Sequence, residues 1–260
     1  MNRPWPTVIV LAVVFIQSQR APAQDGLKDP QALLVLSRSA AALRLQAAGV
    51  TSILASGTYT AVGPKKETSY PLRVKAALPD KVRWETDRPD GAQEVVLSGG
   101  IGLRRIKNKV KPLSAGELSG RLLECFPILA VGRWMTAPDV LVRPGGQLRI
   151  NNEVHDRVLI SAMSSPDADP QIQAMQSRVG RLEVDFSASS GLPVSLRYFQ
   201  QAADWRIDTP VDLWFADYTP VDGLLTPMTI MITVGKHVVG KVLFQSFLLN
   251  VPVSDNDFRE

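Results

Sequence analysis

The sequence alternates apolar and polar residues with a period of two over much of its length, and this constrains the fold more than any other feature. The pattern occupies residues 72–78, 81–87, 181–186, 194–198 and 228–234. Successive side chains of a β-strand point to opposite faces, so each segment has one apolar and one polar face. Such strands are typical of antiparallel sheets with one face on a core and one in water. We predict roughly ten strands.

Short turn signals separate these segments. They are Pro79-Asp80, Pro89-Asp90-Gly91, Ser98-Gly99-Gly100, Ser190-Gly191, Asp222-Gly223 and Gly235-Lys236. Proline, glycine, aspartate and serine favour turns because of their restricted, permissive or locally hydrogen-bonding backbones. The signals place the turns but leave the order of the strands in the sheet open.

Two segments follow a helical period instead. In the first, apolar residues recur between Leu33 and Leu43, with Asp29 as the expected N-cap, Pro30 in the first helical position and Gly49 at the end. The second, residues 114–135, opens with the capping-box pattern Ser114-x-x-Glu117. Its apolar character predicts burial on most sides, and Pro127 is expected to kink or split the helix.

The two patterns together predict an α+β fold that is mostly antiparallel β. A sheet of this length twists and curls on itself. If the sheet closes incompletely, its concave face needs a cover, which the apolar insert is suited to supply. We therefore expect a half-open curved β-barrel with an N-terminal helix and a helical insert over the concave face. Concave, mostly apolar sites of this kind are typical of ligand-binding proteins.

The candidate ligand-binding residues line this expected cavity or its cover. They are Trp84, Leu122, Phe126, Leu129, Trp134, Phe186, Tyr198 and Trp214. The alternative is that the insert only completes the core and encloses no space, and that the aromatic rings only pack on strand faces. Trp214 and Phe215 are neighbours, so in a strand their rings must lie on opposite faces.

A single basic run, residues 104–111, offers a second candidate surface. In an extended conformation Arg105, Lys107, Lys109 and Lys111 share one face. This face could attract the anionic head groups of a membrane surface. Alternatively, it is a solvated strand face that resists edge-to-edge pairing.

The sequence is poor in groups for catalysis or metal binding. It has one cysteine and two histidines, and it lacks the common nucleophile, zinc-protease and phosphate-loop motifs. His155 and Asp156 are adjacent and would point to opposite faces of a strand. Cys125 lies in an apolar segment and is expected to be an inert core thiol. We therefore predict a protein with no catalytic residues, no metal and no cofactor.

The first residues have the pattern of a secretory signal peptide. Arg3 precedes an apolar stretch, residues 7–16, and Ala21-Pro22-Ala23 offers a cleavage site. An uncleaved N-terminal anchor is the alternative. Cleavage near Ala23 would leave one domain, residues 24–260, in the periplasm or medium. It would also lower the net charge from +4 to +2, which does not favour nucleic acid as a partner.

The order of several short motifs resembles the LolA/LolB-like superfamily of exported lipoprotein carriers. The motifs are Gly57-Thr58-Tyr59, residues 72–85 with Pro79, the apolar insert, Val184-Asp185-Phe186, Gly191-Leu192-Pro193 and residues 217–227. The resemblance extends from residue 29 to about 253. It is greater to uncharacterised lipoprotein-sorting-like relatives than to the carriers themselves.

The resemblance implies a half-open barrel of eleven strands whose helices cover a hydrophobic cavity for acyl chains. In the carriers an arginine near the cavity mouth holds these helices. Arg73 and Arg83 are possible counterparts, although their alternation indicates the solvent face. The absence of a lipid-anchored cysteine favours a soluble carrier. Pro127 and the long segment 164–177 depart from the compact carriers, so the cargo stays open.

Two functions follow from these expectations. The first is an exported, non-enzymatic carrier or binder of lipid or lipoprotein acyl chains, with a membrane surface or a membrane-bound acceptor as a further partner. The second is a non-catalytic protein-interaction module whose closed core contains no lipid cavity.

Overall fold

A computed structural model describes residues 27–45, 49–89, 91–99, 101–107, 109–113, 125–162, 181–201 and 208–258. The predicted signal peptide, residues 1–23, and the segment 164–177 lie outside the described residues. None of the helices in the described ranges combines the length and apolarity that crossing a bilayer requires.

The described chain forms two α-helices, thirteen β-strands and a C-terminal 3₁₀ helix, Asp255–Phe258. The helices are α1 (Pro30–Ala42) and α2 (Pro127–Thr136). The strands are β1 (Ser52–Val62), β2 (Glu67–Ala77), β3 (Lys81–Thr86), β4 (Gln93–Ser98), β5 (Ile101–Ile106), β6 (Lys109–Pro112), β7 (Val140–Ile150), β8 (Glu153–Ala162), β9 (Leu182–Ser187), β10 (Pro193–Gln201), β11 (Asp208–Val221), β12 (Leu224–Val234) and β13 (His237–Leu249).

All thirteen strands belong to one antiparallel sheet in the order β6-β5-β4-β3-β2-β1-β13-β12-β11-β10-β9-β8-β7. Strands β1 to β6 pair in sequence order, and so do β7 to β13, while the pairing of β1 with β13 joins these two halves of the chain. The sheet is not closed, because β6 and β7 form its two ends. The expected ten to eleven strands are too few, since periodicity did not separate the short β6 or detect the glycine-interrupted β7.

The alternation sorts side chains onto two faces as predicted. In β2, Leu72, Val74 and Ala76 are at most 1% exposed and belong to the main core, while Arg73 and Lys75 lie on the opposite face. Leu36 of α1 and Val131 of α2, both 0% exposed, pack into the same core. The fold is thus the expected half-open curved β-barrel with helices on its concave face.

Helix α1 begins as predicted but ends earlier than predicted. The Asp29 carboxylate accepts hydrogen bonds from the backbone N–H groups of Gln31 (2.8 Å) and Ala32 (3.2 Å), and Pro30 follows it. The prediction that Gly49 ends the helix is wrong. The helix ends at Ala42, and Arg44 (φ 60°) takes the left-handed conformation that stops it.

Helix α2 begins at Pro127, the residue at which the predicted longer helix is expected to kink or split. Proline is well tolerated in the first helical turn, where its missing N–H would have no intrahelical acceptor. The predicted capping box at Ser114 and Glu117 and the candidate Leu122 lie outside the described residues. Cys125 is buried beside the start of α2, as expected of a core thiol.

Polar and charged side chains on the outer face link the strands β8 to β10. Arg157 donates to both oxygens of Asp185 (2.7 and 3.0 Å) and to Glu183 (2.8 Å). The Asp185 carboxylate is 2% exposed and also accepts a hydrogen bond from the hydroxyl of Ser195 (2.8 Å). Removing one partner of such a buried pair leaves the other charge uncompensated, so the pair is costly to break.

We expect Asp185→Ala to lower the free energy of unfolding by about 3–5 kcal/mol, because Arg157 would lose its bidentate partner. Glu67→Ala is the matched control, since Glu67 pairs with Lys241 at 3.1 Å while both side chains are about half exposed. Its expected cost is below about 1 kcal/mol. Urea denaturation of the mature chain measures both values, and similar costs would show that the Asp185 pair is no stronger than a surface pair.

Candidate functional site

An apolar cavity of about 450 Å³ lies between α2, the C-terminal end of α1 and the turn between β2 and β3. Its volume falls within the roughly 300–1,000 Å³ of small-molecule sites. The residues lining it are Ala40, Leu45, Gly49, Val50, Thr51, Leu78, Pro79, Ile128, Leu129, Gly132, Arg133, Met135 and Thr136. Because most of these side chains are apolar, the cavity is suited to a hydrocarbon chain.

Helix α2 creates this space through a missing side chain. Ile128 and Leu129 lie on one side of the cavity, and Gly132 follows one turn later. A Cβ atom at Gly132 would have no non-helical neighbour within 4 Å. The helix is held at its end by Lys28, whose ammonium group donates to the Met135 carbonyl at 2.6 Å.

A second cavity, of about 190 Å³, lies farther along the concave face. It is lined by Tyr59, Trp84, Thr86, Arg88, Gln93, Val95, Cys125, Tyr198, Leu213 and Ile232. Burial raises the pKa of the Tyr59 hydroxyl, and the Arg88 charge opposes this shift. Tyr59 therefore stays neutral at physiological pH and can donate a hydrogen bond into the cavity.

Three phenylalanine rings lie between the levels of the two cavities along β1. Phe126 lies with its ring centroid 5.7 Å from that of Phe244 and 6.2 Å from that of Phe247, and the latter two are 4.8 Å apart. The residues of β1 give the order of the three features along the sheet. The first cavity is next to Thr51, and the second cavity reaches Tyr59. Between them, Phe247 and Phe244 lie opposite Ala55 and Gly57. We call Phe126, Phe244 and Phe247 the phenylalanine cluster.

The structure distributes the predicted ligand-binding residues over cavities and core. Leu129 lines the larger cavity, and Trp84 and Tyr198 line the smaller one. Phe126, Trp134 and Phe186 are at most 2% exposed and pack in the core instead of lining these two cavities.

The choice of Trp214 as a cavity residue is wrong. Trp214 alternates with Leu213 and Phe215, which are buried in the concave core, so its ring lies on the outer face. It is directly opposite Ser195 and Met231 there. The prediction that the Trp214 and Phe215 rings point in opposite directions is confirmed, and Phe215 is the concave one.

The predicted common face of the basic run is also wrong. The chain turns at Lys107 (φ 56°), so the run forms the β5–β6 hairpin rather than one extended strand. Arg105 lies opposite Val110 and pairs with Glu94 at 3.2 Å. Lys109 and Lys111 are on the other face, where Lys111 is opposite Arg104. The membrane-binding role of these residues stays a prediction.

Arginine side chains on the outer face do not hold the helices. Arg73 pairs with Glu85 (3.2 Å) and Asp87 (3.1 Å), and Arg83 pairs with Glu85 and Glu94, both at 2.6 Å. Their predicted solvent-side location is confirmed.

An ion pair that the sequence reasoning missed connects a helix to the sheet. Arg38 of α1 donates to Asp156 of β8, which also accepts from Gln147 at 2.8 Å. The signal in the sequence is Asp156 itself, an acid that shares the apolar face of Val158 and Ile160. Such a position calls for a cation on the covering helix.

The histidine and acidic residues do not converge on a reactive centre in the described part of the chain. His155 is 2% exposed on the face opposite Asp156, as predicted for neighbours in a strand. No group of three His, Cys, Asp or Glu residues suited to a metal ion occurs within the described ranges.

A cleft of about 340 Å³ on the outer face is lined largely by the charged side chains of Arg73, Lys75, Arg83, Glu85 and Asp257. Its charges suit an apolar ligand poorly.

We expect the ion pair between α1 and β8 to stabilise the protein only above acidic pH. Burial opposes ionisation of Asp156, but the hydrogen bonds from Gln147 and Arg38 outweigh it and lower the pKa below the ordinary 3.8. The stabilisation is therefore present above the ordinary value and is lost as the pH falls through the lower folded-state value.

Urea denaturation between pH 2 and 7 tests this expectation by comparing the natural chain with Asp156→Asn. The two should differ by roughly 1 kcal/mol at neutral pH, because Arg38 is partly exposed, and converge in acid. A difference that is constant over this range would show that ionisation of Asp156 contributes nothing.

Comparison with known proteins supports the fold. No protein-family model and no curated protein matches the sequence. The fold is similar to that of a LolA superfamily protein from Nitrosomonas europaea (TM-score 0.57, 12% identity, 88% of this chain and 97% of that one). It is similar to a DUF1329 family protein from Desulfovibrio piger (TM-score 0.56, 10% identity, 88% and 96%). A third match is a domain from Vibrio parahaemolyticus with a proposed role in outer membrane lipoprotein sorting (TM-score 0.56, 13% identity). It covers 87% of this chain and 95% of the other. The chain thus has the fold of LolA superfamily proteins, which confirms the predicted resemblance at the level of the fold.

Proposed function

We propose that this protein is an exported, non-enzymatic carrier or binder of the acyl chains of lipids or lipoproteins. The observation behind the proposal is the apolar cavity of about 450 Å³ next to α2. The proposed role in lipoprotein sorting of the similar Vibrio domain agrees with it. Signal-peptide cleavage near Ala23 and delivery to the periplasm or medium belong to the same proposal.

Capture of an acyl chain needs no catalytic group. Each methylene removed from water contributes about 0.8 kcal/mol, so a chain of several carbons binds through burial alone. Leu129 and Ile128 would contact the chain in the larger cavity, and Trp84 and Tyr198 in the smaller one. A longer chain would have to displace the Phe126 ring from the phenylalanine cluster to reach both cavities.

The cations of the edge hairpin could bring the carrier to a membrane or to a membrane-bound acceptor. Lys109 and Lys111 are exposed on one face of β6, which is an end of the sheet. Cations near an anionic membrane surface contribute about 1 kcal/mol each. Arg105 would contribute less, because it pairs with Glu94 on the other face.

The second candidate function is a protein-interaction module. It is favoured by exposed leucines on the outer face: Leu54 and Leu248 are cross-strand partners, 37% and 55% exposed, and Leu243 is 52% exposed. Adjacent exposed apolar side chains are typical of protein contacts when they form a patch. This module would purify without lipid and would not bind a free fatty acid.

We expect Gly132→Leu to abolish binding of a fluorescent fatty acid while the protein stays folded. The new side chain would enter the cavity, where the Cβ position is open. Gly132→Ala is the matched control. It should keep binding and raise the free energy of unfolding by about 0.5–1 kcal/mol, because alanine favours a helix more than glycine does.

Fluorescence titration and urea denaturation of the three mature chains give both measurements. Mass spectrometry of lipids extracted from the native protein adds the natural cargo. If Gly132→Leu binds the fatty acid as the natural chain does, the larger cavity is not the binding site. A natural chain that binds no fatty acid and contains no lipid would favour the interaction module.

We expect Phe126→Ala to join the two cavities and to increase the length of acyl chain that is bound. The substitution removes the ring that contacts both Phe244 and Phe247. It should cost about 3–5 kcal/mol of unfolding free energy in the empty protein. A bound long-chain fatty acid should restore part of this loss. The measurement is the rise in Tm on adding the ligand, which should be larger for Phe126→Ala than for the natural chain. An equal rise in both proteins would contradict a role of Phe126 in separating the cavities.

A further inference from the structure

The smaller cavity contains a partly buried cationic side chain in an otherwise uncharged wall. Arg88 lines it together with Trp84, Tyr198 and Leu213, and the described lining includes no Asp or Glu. The Arg88 guanidinium lies 5.1 Å from the centroid of the Tyr70 ring, a contact that fixes its position without neutralising its charge.

One donor of the Arg88 guanidinium has no acceptor in the described part of the chain. Its Nε atom is buried, and among the described residues it is one of the few buried polar side-chain atoms without a hydrogen-bond partner. A buried donor with no acceptor costs free energy that a ligand acceptor would recover. Arginine is well suited to this, because its donors form a planar fork that matches a carboxylate or a phosphate.

The sheet register places two further basic residues on the same face. Val95 lines the cavity, Arg104 lies directly opposite Val95, and Lys111 lies directly opposite Arg104. Directly opposite residues of antiparallel strands share a face, so these cations are on the concave side. The acids Glu85 and Glu94 of the same region point to the outer face, where Arg83 pairs with both.

From these observations we infer that the cavity around Arg88 binds the anionic head group, a carboxylate or a phosphate monoester, of a single-chain amphiphile. The Arg88 guanidinium donates to the head group, and the neutral hydroxyl of Tyr59 is placed to donate as well. Trp84, Leu213 and Ile232 contact the first carbons of the chain. This inference rests on the proposed function and adds the ligand class to it.

Isothermal titration of the mature chain with sodium dodecanoate, dodecyl phosphate and 1-dodecanol tests the inference, because the three differ only in the head group. We expect at least one of the two anions to bind about tenfold or more tightly than the alcohol, as a charge-assisted hydrogen bond in a buried site would give. Binding of one anion only would identify the head group.

Arg88→Gln should lower the affinity for the anions to about that for dodecanol and thereby remove this preference. Arg149→Gln, which removes the same charge from an exposed position on β7, is the control and should keep the preference. Thermal unfolding verifies that both variants are folded.

Equal binding of alcohol and anions by the natural chain would overturn the inference and leave the proposed function standing. So would a preference that persists in Arg88→Gln. If none of the three ligands binds the natural chain, the proposed function itself fails. The comparison of ligands on the natural chain decides the matter even if Arg88→Gln does not fold.

Discussion

The concave face of an unclosed sheet must be covered, and the two short α-helices of the described residues cover it only in part. Thirteen strands spaced about 4.8 Å apart extend for roughly 60 Å along the curve of the sheet. Helices of 13 and 10 residues measure about 20 and 15 Å. Side chains such as Phe126 and Trp134 fill the centre tightly, and open space is left toward both ends. The cavities thus follow from the proportions of sheet and helices together with the missing side chain at Gly132.

The distribution of charge depends on the same two-faced sheet. On the outer face acids and bases pair across neighbouring strands, as Arg157 does with Asp185 and Arg83 with Glu94. On the concave face near β4, Arg88 lines the smaller cavity, and the described residues of that lining include no carboxylate. An apolar cavity with one partly buried cation would recognise a different ligand from an apolar cavity alone, since it adds a preference for the head group to the affinity for the chain.

The sequence predicts the fold well because alternation reports directly which face of a strand is buried. The period of two, the turn residues and the Asp29 cap give the sheet and the start of α1. The same pattern is ambiguous where two neighbouring residues are both large and apolar. It shows that the rings of Trp214 and Phe215 lie on opposite faces of the sheet, but not which ring lies on the concave face. The alternation also fails to predict the turn at Lys107, because a lysine in the left-handed conformation has the same polarity as a lysine in a strand.

The binding residues were harder to predict, since an empty volume depends on how elements from distant parts of the chain come together. Leu129, Trp84 and Tyr198 line cavities, while the equally apolar Phe126, Trp134 and Phe186 pack in the core. Gly132 and Arg88 were missed, because a glycine in a helix and an arginine after a strand are ordinary residues until their neighbours are known. The pairing of Arg38 with Asp156 was accessible in principle, because an acid on an apolar strand face requires a partner.

The pairing of β1 with β13 has a consequence for how the molecule assembles. Ile53 contacts Leu249 across this junction, so the earliest strand of the sheet can find its partner only after nearly the whole chain has been made. Contacts this distant in sequence slow folding, because a long loop must be closed before they form. Until then each half is a separate meander with an unprotected terminal strand. The newly made chain is accordingly most exposed to aggregation just before its last strand docks.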